Sequence, residues 1–119
     1  MNETASQRGK RSRRKGKQWE RDVAKALRPI FGENVARGYQ SRAGGDAPDV
    51  DGTPYWVECK KGRRTRIKAA LEQGTEATDG RPVLAVCRDD REEPIAALYL
   101  KDLLILLEKA YGTASTNSD

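Results

Sequence analysis

The chain has 119 residues, 36% hydrophobic and 34% charged, with 23 Lys and Arg against 18 Asp and Glu for a net charge of +5. That length suits one domain with a single modest core, and no stretch approaches the roughly 18 apolar residues of a membrane span or the apolar region of a signal peptide. Histidine is absent, which excludes a Ser-His-Asp triad, His-dependent nucleases and His-ligated zinc, and leaves lysine, carboxylates and a metal centre to move protons.

The charge is unevenly placed. Residues 1–18 carry seven bases and one acid, a net of +6, while residues 19–119 sum to −1. Residues 1–15 lack apolar periodicity and are expected to form a disordered basic arm, ordered only by something anionic, ahead of a folded domain over 16–111 and a flexible tail over 112–119. Helix signals begin near Gly16 to Gln18. Trp19, Val23, Ala26, Leu27 and Ile30 recur at helical spacing until Pro29 and Gly32 stop the run. Glu20 falls at the edge of that apolar stripe, where it is either a first-turn acid favoured by the helix dipole or a carboxylate directed at a site.

A strand is expected over 35–40, followed by the small-residue loop Ser41-Arg42-Ala43-Gly44-Gly45-Asp46, whose glycines would let backbone approach a phosphate. Pro48 to Asp51 then reads as a strand folded back by the turn Asp51-Gly52-Thr53-Pro54 onto a strand over 55–60. The two-residue period of that strand sends Trp56, Glu58 and Lys60 to one face and Tyr55, Val57 and Cys59 to the other. Asp49 would then lie beside Glu58. Two carboxylates and an ammonium at one spot suit a hard divalent cation, Mg²⁺ with Mn²⁺ able to substitute, and so a nuclease site.

Lys60 to Lys68 is a second basic run. Arg66 to Thr78 is a predicted helix with Ile67, Ala70, Leu71, Gly74 and Ala77 on one face and Gln73 bordering it. Val83 to Cys87 reads as a central strand buried on both faces, and Ile95 to Leu100 as a further strand. The last helix, from about Asp102 to Tyr111, is more apolar than one core-facing stripe requires, so its surplus face is a candidate subunit interface. Cys59 and Cys87 match no zinc or dithiol spacing and read as buried thiols. The chain is therefore expected to be a single small α/β domain, a central mixed β-sheet flanked by helices. Its basic arm (Arg11, Arg13, Arg14, Lys15, with Lys17) and basic loop (Lys61, Arg63, Arg64) would grip a polyanion, most simply nucleic acid.

The order of elements, with Pro48-Asp49 followed by Glu58-Cys59-Lys60, resembles the PD-(D/E)xK nuclease superfamily and its restriction-endonuclease-like fold. Lys17-Gln18-Trp19-Glu20-Arg21-Asp22-Val23, Ser41 in a Gly/Ala loop before Pro-Asp, and Val83-Leu84-Ala85-Val86 extend the likeness, over roughly residues 16–107, to the archaeal-type Holliday junction resolvases and their phage relatives. That resemblance implies a metal site of Glu20, Asp49, Glu58 and the Cys59 backbone carbonyl, catalytic roles for Glu20, Ser41, Asp49, Glu58 and Lys60, a homodimer, and a branched DNA substrate, the four-way junction. Asp46 and Asp51 also flank the motif and compete with Asp49 as ligand. Arg42 and Gln73 join the basic residues as expected DNA contacts. No small-molecule cofactor and no membrane are expected, and the setting is cytoplasmic: at the nucleoid, or in the host cytoplasm for a phage-encoded chain. Two rivals stand beside this reading, a duplex-cutting repair or restriction endonuclease of the same superfamily and a non-catalytic basic DNA-binding module.

Overall fold

The computed structural model describes residues 3–39 and 46–112. In chain order its elements are α1 (Ala5–Phe31), β1 (Ala36–Arg37), β2 (Val50–Asp51), β3 (Trp56–Gly62), α2 (Ile67–Ala77), β4 (Val83–Asp89), β5 (Ile95–Ala97) and α3 (Leu100–Tyr111). The five strands form one mixed sheet in the order β1-β2-β3-β4-β5, with β3 and β4 parallel and the other neighbours antiparallel. This is the α/β arrangement expected, consistent with a restriction-endonuclease-like fold.

The alternation of β3 divides the core in two. Val57 and Cys59 join Trp19, Val23 and Ala24 of α1, together with Val35 and Val50, on one face. Trp56 turns to the other face and packs with Ala70 and Leu71 of α2 and with Val83, Ala85 and Cys87 of β4. A parallel pair needs a crossover, and α2 supplies it. Trp56↔Val83 through Gly62↔Asp89 is its unbroken register, so β3 and β4 run to Gly62 and Asp89, longer than their apolar runs alone. Both thiols are buried, as expected.

Three expectations are corrected. The arm is not disordered: α1 begins at Ala5, because Thr4 and Gln7 form a reciprocal capping box (Gln7 N–H to Thr4 Oγ1, 3.0 Å; Thr4 N–H to Gln7 Oε1, 2.8 Å) and the Lys, Arg and Gln that follow are good helix formers. The buried stripe of α1 is rotated from the predicted one. Trp19, Val23, Ala24, Leu27 and Phe31 face the sheet, while Ala26 and Ile30 are exposed, since Phe31 packs on Tyr55 (ring centroids 6.2 Å apart). Finally, within the described residues the expected strands at 35–40 and 95–100 shorten to β1 and β5, residue 40 lying outside them. The Tyr99 carbonyl accepts the N–H groups of Asp102 and Leu103, both at 3.0 Å, and starts α3 at Leu100. Residues 113–119 of the expected tail lie outside the described residues. Among those described, no helix is long and apolar enough to cross a membrane.

Two glycines permit close approaches. Gly52 sits in the turn at φ +91°, with Asn34 backbone where a side chain would project. Gly74 brings α2 onto the sheet: a Cβ there would stand 2.5 Å from Val83 Cγ1 and 3.0 Å from Glu58 Cγ. Val83 is β-branched on a central strand and has little freedom to yield. Gly74→Ala should therefore lower stability by about 1–3 kcal/mol despite alanine's better helix propensity, a fall of roughly 5–10 °C in Tm. Thermal melting checks this, and an unchanged or raised Tm would show that α2 has slack over Glu58.

Candidate active site

Asp49 stands immediately before β2 and is held through both backbone and side chain. Its N–H donates to the Val57 carbonyl (2.8 Å) and its carbonyl accepts from the Gly38 N–H (2.9 Å). Its Oδ2 accepts from the Cys59 N–H at 2.8 Å. Glu58, on the face of β3 covered by α2, is only 4% exposed. Its Oε2 accepts from the Trp56 indole N–H at 3.1 Å, a donor that the two-residue period of β3 places on the same face.

Burial pushes the Glu58 carboxyl up from its usual 4.5 to about 7, and the adjacent Asp49 carboxylate pushes in the same direction, against the Trp56 N–H and the Lys60 ammonium. Like charges side by side, one buried and one half-buried, leave the site short of positive charge. Lys60 follows Glu58 on the same face and is half-buried. Burial, with the carboxylates of Asp49, Glu20 and Glu58, also pushes the Cys59 thiol upward, so it stays neutral and offers no thiolate. An all-oxygen donor set that lacks positive charge fits a hard divalent cation, with Asp49, Glu58 and the Cys59 carbonyl as the residues able to hold it.

Glu20, the third acid expected there, is held by Arg37. Its Oε1 accepts from Arg37 Nε at 2.8 Å, and among the described residues no three His, Cys, Asp or Glu side chains stand close enough together to hold a metal ion. Asp51 is engaged as well. It accepts from the Gly52 N–H (2.8 Å) and from Arg81 Nη1 (2.8 Å), and the Arg81 hydrogen bond holds its carboxyl below the usual range. The same Arg81 bonds the Thr53 carbonyl and lies 5.4 Å from the Trp56 ring centroid. Asp46 is exposed. Of the three competing aspartates, Asp49 is the one beside Glu58.

Ser41 and Arg42 lie outside the described residues. Gln73 is exposed on α2 and is not drawn into the Glu58 face. Arg11, Arg13, Arg14, Lys15 and Lys17 are exposed on α1, and a concave strip is lined by Arg11, Arg14, Lys15, Lys17, Gln18 and Arg21. Arg63 and Arg64 are exposed and Lys61 half-exposed where β3 gives way to α2. Asp89 anchors that segment by accepting from both the Thr65 N–H and hydroxyl at 2.6 Å. Trp56, Gly74, Arg37 and Arg81 are contributors that sequence reasoning missed. Trp56 shared a face with Glu58 and was legible in principle; Arg37 meets Glu20 of α1, and Arg81 meets Asp51 of β2, only once the chain is folded.

The raised Glu58 carboxyl has a consequence for stability. The folded chain keeps this proton up to about pH 7, whereas the unfolded chain releases it near 4.5. Stability is therefore full below about pH 4.5 and falls as pH rises towards 7, by up to roughly 3 kcal/mol. Denaturant unfolding without divalent cations should find Glu58→Gln more stable than wild type at pH 8 and equal to it near pH 4. Equal stability at both values would place the ionised carboxylate in water.

No curated protein and no solved structure matches the chain. A family model does, over residues 11–117, and its description is "Phage putative PDDEXK endonuclease". The matched stretch takes in both core layers and the whole of Asp49, Glu58 and Lys60, in agreement with the superfamily and the phage relation expected from the motif. The chain belongs to this family of phage PD-(D/E)xK endonucleases.

Proposed function

We propose that the protein is a Mg²⁺-dependent, structure-selective endodeoxyribonuclease that resolves four-way DNA junctions by paired phosphodiester hydrolysis, with Mn²⁺ able to replace Mg²⁺. The observation that carries the hydrolytic part is the buried Glu58 carboxyl beside the half-buried Asp49, with Lys60 on the same face. Asp49 and Glu58, with the Cys59 carbonyl, would hold the cation. When bound, it would lower the pKa of water, polarise the scissile phosphate and offset its charge. The hydrogen bond from Cys59 N–H aims Asp49, and Trp56 N–H aims Glu58, so neither carboxylate must be reorganised on binding. Lys60 would direct its ammonium to the phosphate oxygens or to the attacking water. The exposed bases of α1 and of the β3–α2 segment would contact backbone phosphates, a binding mode without base readout.

Branched DNA and pairing of two subunits are supported by the motif likeness to junction resolvases and by α3. Leu100, Leu104, Ile105, Leu106, Leu107 and Tyr111 are exposed, and α3 buries none of its residues. A helix of that length is marginal by itself in water. Leu100, Leu104, Leu107 and Tyr111 recur at helical spacing and so share one exposed apolar face of α3, which favours a second copy as the cover.

Incubation with a four-way junction, linear duplex and single-stranded DNA, in Mg²⁺ and in EDTA, tests the reading. Symmetric nicks near the junction centre, dependent on Mg²⁺, are expected. Preferential cutting of linear duplex would favour the repair or restriction alternative. Asp49→Ala, Glu58→Ala and Lys60→Ala should each abolish cleavage while junction binding in Ca²⁺ persists, and binding without cleavage by wild type would leave only a DNA-binding module. Sedimentation of the wild-type chain should give a dimer that Leu104→Glu/Leu107→Glu converts to a monomer; a wild-type monomer would remove α3 as the interface.

A further inference from the structure

We infer that Arg37 is a positioning residue that holds Glu20 back from the Asp49–Glu58 pair and surrenders it when a divalent cation binds. The inference rests on the metal-dependent reading above. Three observations meet at this corner of the sheet. Arg37 pairs with Val50 in the β1–β2 ladder, and the next residue, Gly38, donates its N–H to the Asp49 carbonyl. The guanidinium is therefore rooted in backbone that touches the residue holding the metal position. Its side chain and that of Glu20 are each about one-fifth exposed and meet at 2.8 Å, so the pair is partly withdrawn from water. Glu20 bonds Arg37, whose neighbour Gly38 bonds Asp49, so two adjacent residues of β1 and its exit link the two acids.

A third acid thus stands close to the pair, yet no three-acid cluster exists among the described residues. The Arg37 guanidinium is the group that accounts for the difference. Two neighbouring carboxylates already repel each other, and adding a third without a cation would raise that cost, so Arg37 supplies Glu20 with the positive charge the corner otherwise lacks. A divalent cation between Asp49 and Glu58 carries twice the charge of a guanidinium and competes for Glu20. Once released, Arg37 would present its planar fork beside the site, where a phosphate can accept it at two oxygens. The arginine would then change partner from a carboxylate of the protein to a phosphate of the substrate.

Calorimetric titration of the full chain with Mn²⁺ alone, without DNA, separates this exchange from a plain structural ion pair. Arg37→Gln should tighten Mn²⁺ binding about two- to fivefold, the scale of a partly exposed ion pair no longer competing. Glu20→Gln in the Arg37→Gln background should remove that gain, and Arg37→Lys should restore the weaker wild-type affinity. An unchanged or weaker affinity in Arg37→Gln overturns the inference, as does a gain that survives Glu20→Gln, which would reflect only the general field of a lost cation. Failure of all these proteins to bind Mn²⁺ would sink the metal-dependent reading itself. Discrete binding abolished by Asp49→Asn but indifferent to Arg37 would sink this inference alone. Thermal melting of each variant confirms that the titrated protein is folded.

Discussion

A buried glutamate held beside a second, half-buried carboxylate is the constraint on which the site depends, and much of the neighbouring structure serves to keep the two together. Asp49 is aimed by the Cys59 N–H, a backbone donor that would otherwise face the strand edge, and Glu58 by the indole of Trp56. α2 closes over Glu58 because Gly74 has no side chain to hold it away. The result is a carboxyl that keeps its proton to near neutrality and a site that gains by taking up positive charge. Stability is given up locally for that readiness, as is common where function needs charges that folding alone would disperse.

α1 combines two tasks. Its C-terminal half is a core element, sealed by Trp19, whose indole N–H donates to the Val86 carbonyl at 3.3 Å, and by Arg28, which bonds the Val35 carbonyl at 2.9 Å. Its N-terminal half buries no residue and is studded with bases, so the helix of about 40 Å overhangs the sheet and the molecule measures 70 Å along its longest axis. A preformed helix presents its charges at fixed spacing, whereas a coil would have to be ordered at the moment of binding. The Thr4–Gln7 capping box makes that possible with no tertiary support.

How much was legible in the sequence varied with the range of the interaction. The strand-turn-strand with its Asp and Glu-x-Lys could be read because a two-residue period and a Gly-Thr-Pro turn act over a few neighbours, and the site's pair came out beside each other. The face of α2 was legible for the same reason. The start of α1 differs from the expectation because a helix needs no apolar periodicity where it packs on nothing, and the capping box of Thr4 and Gln7 is its local signal. The short β1 and β5 were overestimated, since an edge strand ends where its partner's hydrogen bonds end, and that is set by the neighbour.

The chain by itself determined most of the element types, a central strand over Val83 to Cys87, the Asp49–Glu58–Lys60 constellation and the basic character of its surroundings, because each follows from local periodicity, turn chemistry or charge count. The tertiary structure decided which aspartate stands at the site, by committing Asp51 to Arg81. It also decided that Glu58 is buried beneath Gly74 and that Glu20 is held by Arg37. Those outcomes depend on residues far apart in the chain meeting between helix and sheet or between strands, and whether a carboxylate finds an arginine or another carboxylate there is set by packing that no local pattern records.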